Sequence, residues 1–223
     1  MDTSRWYNLN DHIKIVGTQR KFYRRYLHKL VYTVYGAWAL SGSETIDALR
    51  GKLSRSRHLL DLRPIELITP FFDLYTVKDS RLKFRAERST LAVFCDDIDY
   101  LFDLAQDKLS SHKPEILSTV LDQDSQELLD KGMILVKTPT EHCWRINIRS
   151  GFYRNLAERQ GLAQYLKNLG DEVKVTKNIL QRLGSNDKYL YGGYFHVKDP
   201  RVVDMIRLIT PDLVQSVDQL VVH

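Results

Sequence analysis

The stretch that decides the fold is WRINIR, residues 144–149, in which apolar side chains alternate with arginine and asparagine. A period of two residues is that of a β-strand with one buried face. Leucines then recur at helical spacing, and a glycine follows where a helix-ending glycine is expected: Leu156, Leu162, Leu166, Leu169 and Gly170. The stretch therefore predicts a strand followed by a helix.

The rest of the second half continues this pattern. Val173 and Val175 alternate with polar residues, and residues 189–198 are rich in aromatic side chains, as is typical of strands. Asp199-Pro200 marks the start of another helix, and residues 220–222 predict a final strand. The order strand–helix–strand–strand–helix–strand is that of the ferredoxin-like fold.

The first half shows the same order with an additional strand. Strand composition is found in four segments: residues 26–38, 67–77, 81–88 and 91–95. Helices are predicted over residues 44–60 and from Asp97 onward, and the start at Asp97 parallels the start at Asp199. We therefore predict an α+β protein of two similar halves, each a ferredoxin-like (βαββαβ) unit with a mainly antiparallel sheet. The alternative is a pair of units in which a long helix closes each sheet.

The boundary between the halves is predicted after a polar helix. This helix covers about residues 114–131, begins after a break at residues 110–114 and ends before Gly132. Residues 133–137 predict a short strand that would complete the first half. The expected domains are thus 1–137, basic and α+β, and 138–223, ferredoxin-like.

Charge is distributed unevenly along a chain whose formal net charge is +5. Residues 20–63 contain ten Lys/Arg and three Asp/Glu, whereas residues 96–130 contain ten Asp/Glu and two Lys. Such segregation favours a polarised surface with a basic region that attracts polyanions. The alternative is two solvated faces that neutralise each other.

The compartment is predicted from hydropathy and cysteine content. There is no uninterrupted apolar run of about 18 residues, and residues 1–26 lack the apolar core of a signal peptide. The two cysteines, Cys95 and Cys143, form neither a disulfide framework nor a zinc set. These features predict a cytoplasmic, intracellular protein in a reducing compartment, without a cofactor and without membrane contact.

Catalytic motifs do not stand out in this sequence, so an enzyme is less expected than a binding protein. Phosphate-binding glycine loops, nucleophile elbows and HExxH zinc motifs are all missing. His58, which ends a helix with Arg55 and Arg57, is a weak catalytic candidate. If the protein is an enzyme, this histidine favours a metal-independent ribonuclease of tandem ferredoxin-like build, a comparison that concerns layout only.

An aspartate cluster follows the strand 91–95. Asp96, Asp97 and Asp99 could bind magnesium, as carboxylates of polymerases and nucleases do. The alternative is that Asp97 caps a helix whose first turn favours negative charge. The corresponding place in the second half, Asp199-Pro200, has only the cap, so we predict a cap and no metal site.

The most informative surface is the sheet face of the second half that the helices leave open. If the apolar residues of each strand point inward, the alternate residues share the outer face: Arg145, Asn147, Arg149, Lys174, Tyr194 and His196. Arginine contacts phosphates, and flat rings stack on unpaired bases. Residues 193–197, GYFHV, match in part the aromatic third strand of RRM domains. The alternative is a solvated sheet face, or one that is buried against the other half.

We therefore predict a nucleic-acid-binding protein, for RNA or single strands in preference to duplex DNA. Further contacts are expected from the basic segment of the first half: Arg20, Lys21, Arg24, Arg25, Arg50, Arg55 and Arg57.

The alternative function is that of a structural or interaction subunit that assembles into a homo-oligomer. It is motivated by residues 26–35, whose apolar side chains would lie on both faces of a strand. Such a strand must be central in its sheet or covered by a partner.

Overall fold

A computed structural model describes residues 3–55, 63–153 and 155–223. The chain divides into two compact units, Met1–Gln126 and Glu127–His223, and each is described by itself. Within the described residues, none of the helices is long and apolar enough to cross a membrane. The structure mixes helices with two five-stranded sheets, so the α+β class is confirmed.

The first unit contains five strands and three α-helices among its described residues, besides the helix at its end and shorter helical segments. The strands are β1 Lys14–Gly17, β2 His28–Thr33, β3 Lys83–Glu87, β4 Thr90–Cys95 and β5 Ile116–Thr119, in the sheet order β1-β5-β2-β4-β3. The helices are α1 Ile46–Ser54, α2 Arg63–Val77 and α3 Ile98–Asp103. All neighbouring strands are antiparallel except β1 and β5, which are parallel. Helix α4, Gln123–Asp130, spans the boundary between the units.

The second unit has a sheet of the same size in the described residues. Its strands are β6 Ile134–Val136, β7 Trp144–Ile148, β9 Val173–Lys174, β11 Gly193–Val197 and β12 Val214–Val222, in the order β6-β12-β7-β11-β9. A two-stranded ribbon consists of β8 Gly151–Phe152 and β10 Tyr189–Leu190. The helices are α5 Leu156–Asn168, α6 Lys177–Gly184 and α7 Arg201–Ile209. Only β6 and β12 are parallel in the main sheet.

The same scheme of pairing is thus present in both sheets. In the first unit, the last strand β5 pairs in parallel with the edge strand β1 and antiparallel with β2. In the second unit, the last strand β12 likewise pairs in parallel with the edge strand β6 and antiparallel with β7. The sequence placed residues 133–137 in the first half, but β6 pairs with β12 and belongs to the sheet of the second unit. The boundary therefore lies before residue 137, because a strand belongs to the sheet whose hydrogen bonds it completes.

The prediction of a strand over residues 67–77 is wrong, because this segment lies in helix α2. The β-branched and aromatic residues there favour strands by propensity. However, Ile68, Phe71, Phe72 and Leu74 are buried, whereas Leu67 and Val77 are exposed, which is the three-to-four-residue period of a helix. Packing of this face in the core outweighs both propensity and the helix-breaking Pro70.

Smaller differences concern short elements. The polar helix predicted over 114–131 is helix only at Gln123–Asp130, because Ile116–Thr119 is strand β5. Helix α6, which begins shortly after β9, was not predicted. The aromatic strand predicted over 189–198 is interrupted at Gly192, and the last strand begins at Val214.

Gly192 and Gly193 are explained by close packing, not by a ligand. A Cβ at Gly192 would lie 2.6 Å from the Ser150 Oγ and 2.7 Å from the Ile148 carbonyl oxygen. A Cβ at Gly193 would lie 2.2 Å from the Ile179 Cδ1 of helix α6. The contact with the Ile148 carbonyl makes glycine necessary at residue 192, whereas a Cβ at residue 193 would meet the end of the flexible Ile179 side chain.

A buried arginine organises the loop after α6. Arg159 is 1% exposed, and its Nε donates to the Leu183 carbonyl at 3.0 Å and its Nη1 to the Asp187 carbonyl at 2.7 Å. Its Nη2 donates to the Ser185 carbonyl. These carbonyls lie at and just after the end of α6, where the helix dipole favours a cation.

The aspartate cluster fixes local structure. The Asp97 carboxylate accepts hydrogen bonds from the backbone N–H groups of Asp99 (2.9 Å) and Tyr100 (3.0 Å), so the predicted helix cap is confirmed. Asp96 accepts from the Leu27 N–H at 3.1 Å, and Asp99 forms an ion pair with Arg5. Each carboxylate has a partner within the first unit.

Replacing the cap should lower stability without affecting any other feature of the chain. We expect Asp97→Ala to cost about 1 kcal/mol, the usual value of a cap, and to lower the Tm by a few degrees. Asp97→Asn is the matched control, because asparagine caps about as well as aspartate. Thermal denaturation followed by circular dichroism measures both. Equal Tm values for the alanine variant and the parent protein would contradict the assignment.

Candidate nucleic-acid interface

The face of the second sheet that lies away from the helices is built by strand alternation. Ile146, Ile148, Phe195 and Val197 enter the core with α5, α6 and α7. The residues between them lie on the opposite face, because successive side chains in a strand alternate. Strand register then defines a row across the sheet: Asp218, Arg145, His196 and Lys174. A second row consists of Ser216, Asn147 and Tyr194. We call these residues the outer face of the second sheet.

An arginine–tyrosine stack forms the centre of this face. The guanidinium carbon of Arg145 lies 3.6 Å from the centroid of the Tyr194 ring, which is a cation–π geometry. The Tyr194 and His196 rings meet edge to face with centroids 5.4 Å apart. Tyr194 is 46% exposed, so the ring is held in place and still accessible to a ligand.

Asn147 orients this stack through its side-chain amide. Arg145 Nε donates to Asn147 Oδ1 at 3.2 Å. Asn147 Nδ2 donates to Ser216 Oγ at 2.9 Å and to Asp218 Oδ2 at 2.6 Å. Each amide atom is thereby engaged in the sheet, so Asn147 positions its neighbours and does not itself offer a free hydrogen-bonding edge. Asp218 also places a carboxylate beside Arg145, which lowers the net positive charge of this part of the face.

The surroundings of His196 disfavour the charged form of its imidazole. Burial lowers the pKa of this imidazole, and the nearby charges of Arg145, Lys174 and His142 lower the pKa further. A phosphate bound here would oppose these effects, because a negative charge stabilises the imidazolium. The site therefore contains a group that responds to the arrival of an anion.

Lys174 and Arg149 supply exposed cations at two ends of the face. Lys174 lies on the edge strand β9, opposite His196. Arg149 follows the last residue of β7 and is exposed. Both predicted residues are therefore accessible, whereas Arg145 is partly buried by Tyr194.

A pocket of about 350 Å³ lies beside Lys174, lined by Glu141, His142, Asp171, Val173, Lys174 and Lys198. Its charges interact with one another: Lys198 Nζ lies 3.2 Å from Glu141 Oε2, and His142 Nε2 donates to the Asp171 carbonyl at 2.8 Å. Because its polar groups are engaged with one another, we interpret the pocket as part of the structure of the sheet edge and not as a ligand site.

The basic residues predicted in the first half are divided between two places. Arg20, Lys21, Arg24 and Arg25 lie in the loop between β1 and β2. Arg50 and Arg55 lie on or directly after α1, whose Leu49 and Leu53 enter the main core. Arg57 and the catalytic candidate His58 lie outside the described residues.

A cluster of exposed aromatic residues was missed by the sequence reasoning. Phe152, Tyr189 and Tyr191 lie on or next to the ribbon β8–β10, with centroid distances of 4.9 Å and 5.0 Å between successive rings. Phe152 is 80% exposed. The aromatic run 189–194 is visible in the sequence, but the exposure arises from the break at Gly192, which separates the ribbon from the main sheet.

Two features bear on catalysis. Among the described residues, groups of three His, Cys, Asp or Glu side chains placed to hold a metal ion are absent. His28 pairs with Thr119, with 2.8 Å between Nδ1 and Oγ1, but both side chains are buried and a substrate cannot reach them.

Comparisons with known proteins give little additional information. Neither a family model nor a curated protein matches this chain. A solved structure described as a novel heme-binding protein from Thermus thermophilus was found at 10% sequence identity, covering 86% of this chain and 89% of that chain. Its TM-score is 0.20, which is too low to support any inference about fold or ligand.

The titration of His196 provides a test of the site geometry. We expect an NMR titration to give His196 a pKa below the ordinary 6.5, and Arg145→Gln to raise it, because one of the repelling charges is removed. Between the lowered pKa and about 6.5 the unfolded chain binds more protons, so His196 should reduce stability as the pH falls through this range. Arg207→Gln, on helix α7, is the control and should leave the titration unchanged. An unchanged pKa in the Arg145 variant would contradict the stacked arrangement.

Proposed function

We propose that this protein binds single-stranded nucleic acid, with RNA as the favoured ligand, on the outer face of the second sheet. The observation that carries the proposal is the stack of Arg145 on the accessible Tyr194 ring, with His196 and Lys174 in the adjacent row. An exposed ring offers a stacking surface to any base, and the adjacent cations can contact phosphates.

The shape of the surface favours unpaired nucleotides. A sheet face presents rings in a shallow layer, whereas the major groove of duplex DNA is read by an inserted helix or a two-stranded ribbon. Bases can stack on such rings only when they are not already stacked within a duplex. The chain's positive net charge adds an attraction that does not depend on sequence.

We further propose that each unit is a ferredoxin-like domain with one added edge strand, and that the two form an internal repeat. The support is the strand order. Without β1 and β6, the two sheets have the orders β5-β2-β4-β3 and β12-β7-β11-β9, and all neighbouring strands are antiparallel. In both sheets the fourth of these strands along the chain lies beside the first, followed by the third and the second. This is the order expected for a βαββαβ unit, in which the helices cover one face and leave the other accessible.

A subunit that binds another protein is the second candidate function. The apolar strand at residues 26–35 first suggested this candidate. In the first unit, β2 lies between β4 and β5 and its apolar faces are covered, so this strand needs no partner. The exposed ring cluster of Phe152, Tyr189 and Tyr191 now favours this candidate instead, because adjacent exposed aromatic side chains are enriched at interfaces.

Charge reversal at the exposed cations should test whether nucleic acid binds at a defined site. We expect Arg149→Glu/Lys174→Glu to weaken binding of a labelled, unstructured oligouridylate at least tenfold, about 1.4 kcal/mol, with a nearly unchanged Tm. Lys167→Glu/Arg207→Glu, on the helix layer, makes the same change in net charge and is the control. Fluorescence anisotropy across a salt series measures the affinity. Equal losses in the two variants would show that only net charge matters and would contradict a defined site.

Stacking at Tyr194 is tested by removing its ring. Tyr194→Leu keeps an apolar side chain on the strand and should reduce affinity by about 1–3 kcal/mol, the usual contribution of one stacked base. Phe152→Leu is the control, because its exposed ring belongs to the ribbon. Loss of binding in the Phe152 variant alone would move the nucleic-acid site to the ribbon, while oligomer dissociation in that variant would favour the interaction subunit.

A further inference from the structure

The corresponding face of the first sheet also carries cations beside aromatic rings. Strand register defines one row across it: Ser118, Lys29, Phe94 and Lys83. The adjacent row is Ile116, Val31, Ala92 and Arg85. The helices pack on the other side, where Leu30, Tyr32, Leu91 and Val93 enter the main core. We call the residues of these two rows the outer face of the first sheet.

The central rows of the two outer faces match position by position. In the second sheet, Arg145 lies on β7, which is equivalent to β2, His196 lies on β11 and Lys174 lies on the edge strand β9. In the first sheet the same places hold Lys29, Phe94 and Lys83. Each row is thus cation, ring, cation. The first sheet has Ser118 where the second has Asp218, so its row lacks the carboxylate.

The loop between β1 and β2 folds onto this face. Phe22, Tyr23 and Tyr26 pack around Phe94, with ring centroids 5.4, 5.0 and 6.4 Å from the Phe94 ring. Cations stack on these loop rings in turn: Lys29 lies 5.2 Å from the Phe22 ring and Lys83 lies 4.2 Å from the Tyr23 ring. Tyr26 is buried, whereas Tyr23 is 47% exposed. The loop therefore replaces the bare sheet with an outward-facing tyrosine and its cation.

The loop is anchored at both ends and at its middle. Thr18 Oγ1 donates to the Leu27 carbonyl at 2.8 Å, and the Leu27 N–H donates to Asp96. Phe22 and Tyr26 exchange two backbone hydrogen bonds of 2.8 and 2.9 Å. Arg25 Nη2 donates to the Ser80 carbonyl at 2.9 Å. The position of Tyr23 is therefore fixed before any ligand arrives.

Two consecutive residues of the loop have unfavourable backbone conformations. Tyr23 has φ of 52° and Arg24 has φ of 61°, a region that favours glycine or asparagine. Each such residue is strained relative to those alternatives, and strain of this kind clusters at functional sites. The loop keeps these conformations while it holds the Tyr23 ring against Phe94 and beside the Lys83 ammonium group.

We propose that the outer face of the first sheet, with its folded loop, is a second binding site for single-stranded nucleic acid. The proposal rests on the proposed function and adds a separate site to it. Tyr23 stacks on a base, and Arg24 and Lys83 contact the phosphates on either side. Arg50 and Arg55 lie on the helix layer of the unit and take no part.

Charge complementarity commits the site to a polyanion. Lys14, beside Ile116 in register, adds an exposed cation to the second row, on the edge strand β1. Glu87, an exposed acid on the same face, is paired with Arg85 through the guanidinium. A ring beside an ammonium group suits a nucleotide, which presents a flat base and a phosphate a few ångströms apart.

The first experiment compares two arginines that share the same backbone strain. Arg24→Asn and Arg88→Asn each remove one positive charge at an exposed residue with φ above 50°. Arg88 lies in the turn between β3 and β4, at the far end of the strand from Lys83 and Phe94. We expect both variants of the full chain to keep or raise the Tm. Arg24→Asn should weaken oligouridylate binding about tenfold and reduce the salt slope by about 0.7, the value for one phosphate contact, whereas Arg88→Asn should change affinity less than about twofold.

The second experiment detects the stacked base directly. Ultraviolet cross-linking of the oligouridylate followed by mass spectrometry should give adducts on Tyr23 as well as on Tyr194. Tyr23→Asn should remove the first adduct, keep the second and weaken binding about tenfold. Tyr35→Asn is the matched control, because Tyr35 is also an exposed tyrosine of this unit and lies beyond the end of β2.

The outcomes distinguish the two proposals. Equal affinities for the Arg24 and Arg88 variants, with the Arg149/Lys174 variant weakened, would overturn the second site and leave the proposed function intact. Weakening by the Arg24 variant alone would support this site and overturn the one on the second sheet. Absence of oligouridylate binding by the parent protein would overturn both. Binding to anionic phospholipid vesicles, lost in Arg24→Asn, would instead assign the face to a membrane surface.

Discussion

Alternation of side chains along β7 and β11 is the constraint on which the candidate interface depends. Burial of Ile146, Ile148, Phe195 and Val197 beneath the helices forces Arg145, Asn147, Tyr194 and His196 to the other side of the same sheet. A slip of one residue in register would place the charged set in the core, so the apolar contacts that stabilise the unit also fix the position of the functional set. The stack of Arg145 on Tyr194 then follows from adjacent strands, without any contribution from a flexible loop.

The first sheet satisfies the same constraint differently. Its outer face carries Val31, Ala92 and Phe94, and leaving so much apolar surface in water would be unfavourable. The loop after β1 covers this surface with its own rings, which is why β2 can be apolar on both sides while it lies in the centre of a sheet. The side chains that face solvent there belong to the loop, and Tyr23 and Arg24 are held in place at the expense of backbone strain.

The sequence predicted the elements whose pattern is set by one buried face. Strand β7, helix α5 with Gly170 and the cap at Asp97 all follow from alternation, helical spacing or cap chemistry. Residues of α2 misled the prediction because their composition is that of a strand, and only burial of Ile68 and Phe71 in the assembled core decides for a helix. Strand β5 is too short for its period to be recognised. The aromatic cluster on Phe94 could not be predicted, because it joins residues about 70 positions apart through strand pairing.

The difference between Asp218 and Ser118 gives the two outer faces different electrostatic properties. In the second sheet, Asp218 and Asn147 hold Arg145 in a hydrogen-bonded network, and burial together with neighbouring cations lowers the pKa of His196. That face offers oriented rings more than charge. In the first sheet, Ser118 leaves the cations of the row without a facing carboxylate, while the rings beneath the loop are buried. Under the proposed function, the second sheet would therefore contribute mainly through base stacking, which depends weakly on salt. The first sheet would contribute mainly through phosphate contacts. Their strength falls steeply as the salt concentration rises, because less free energy is then gained from the release of counterions.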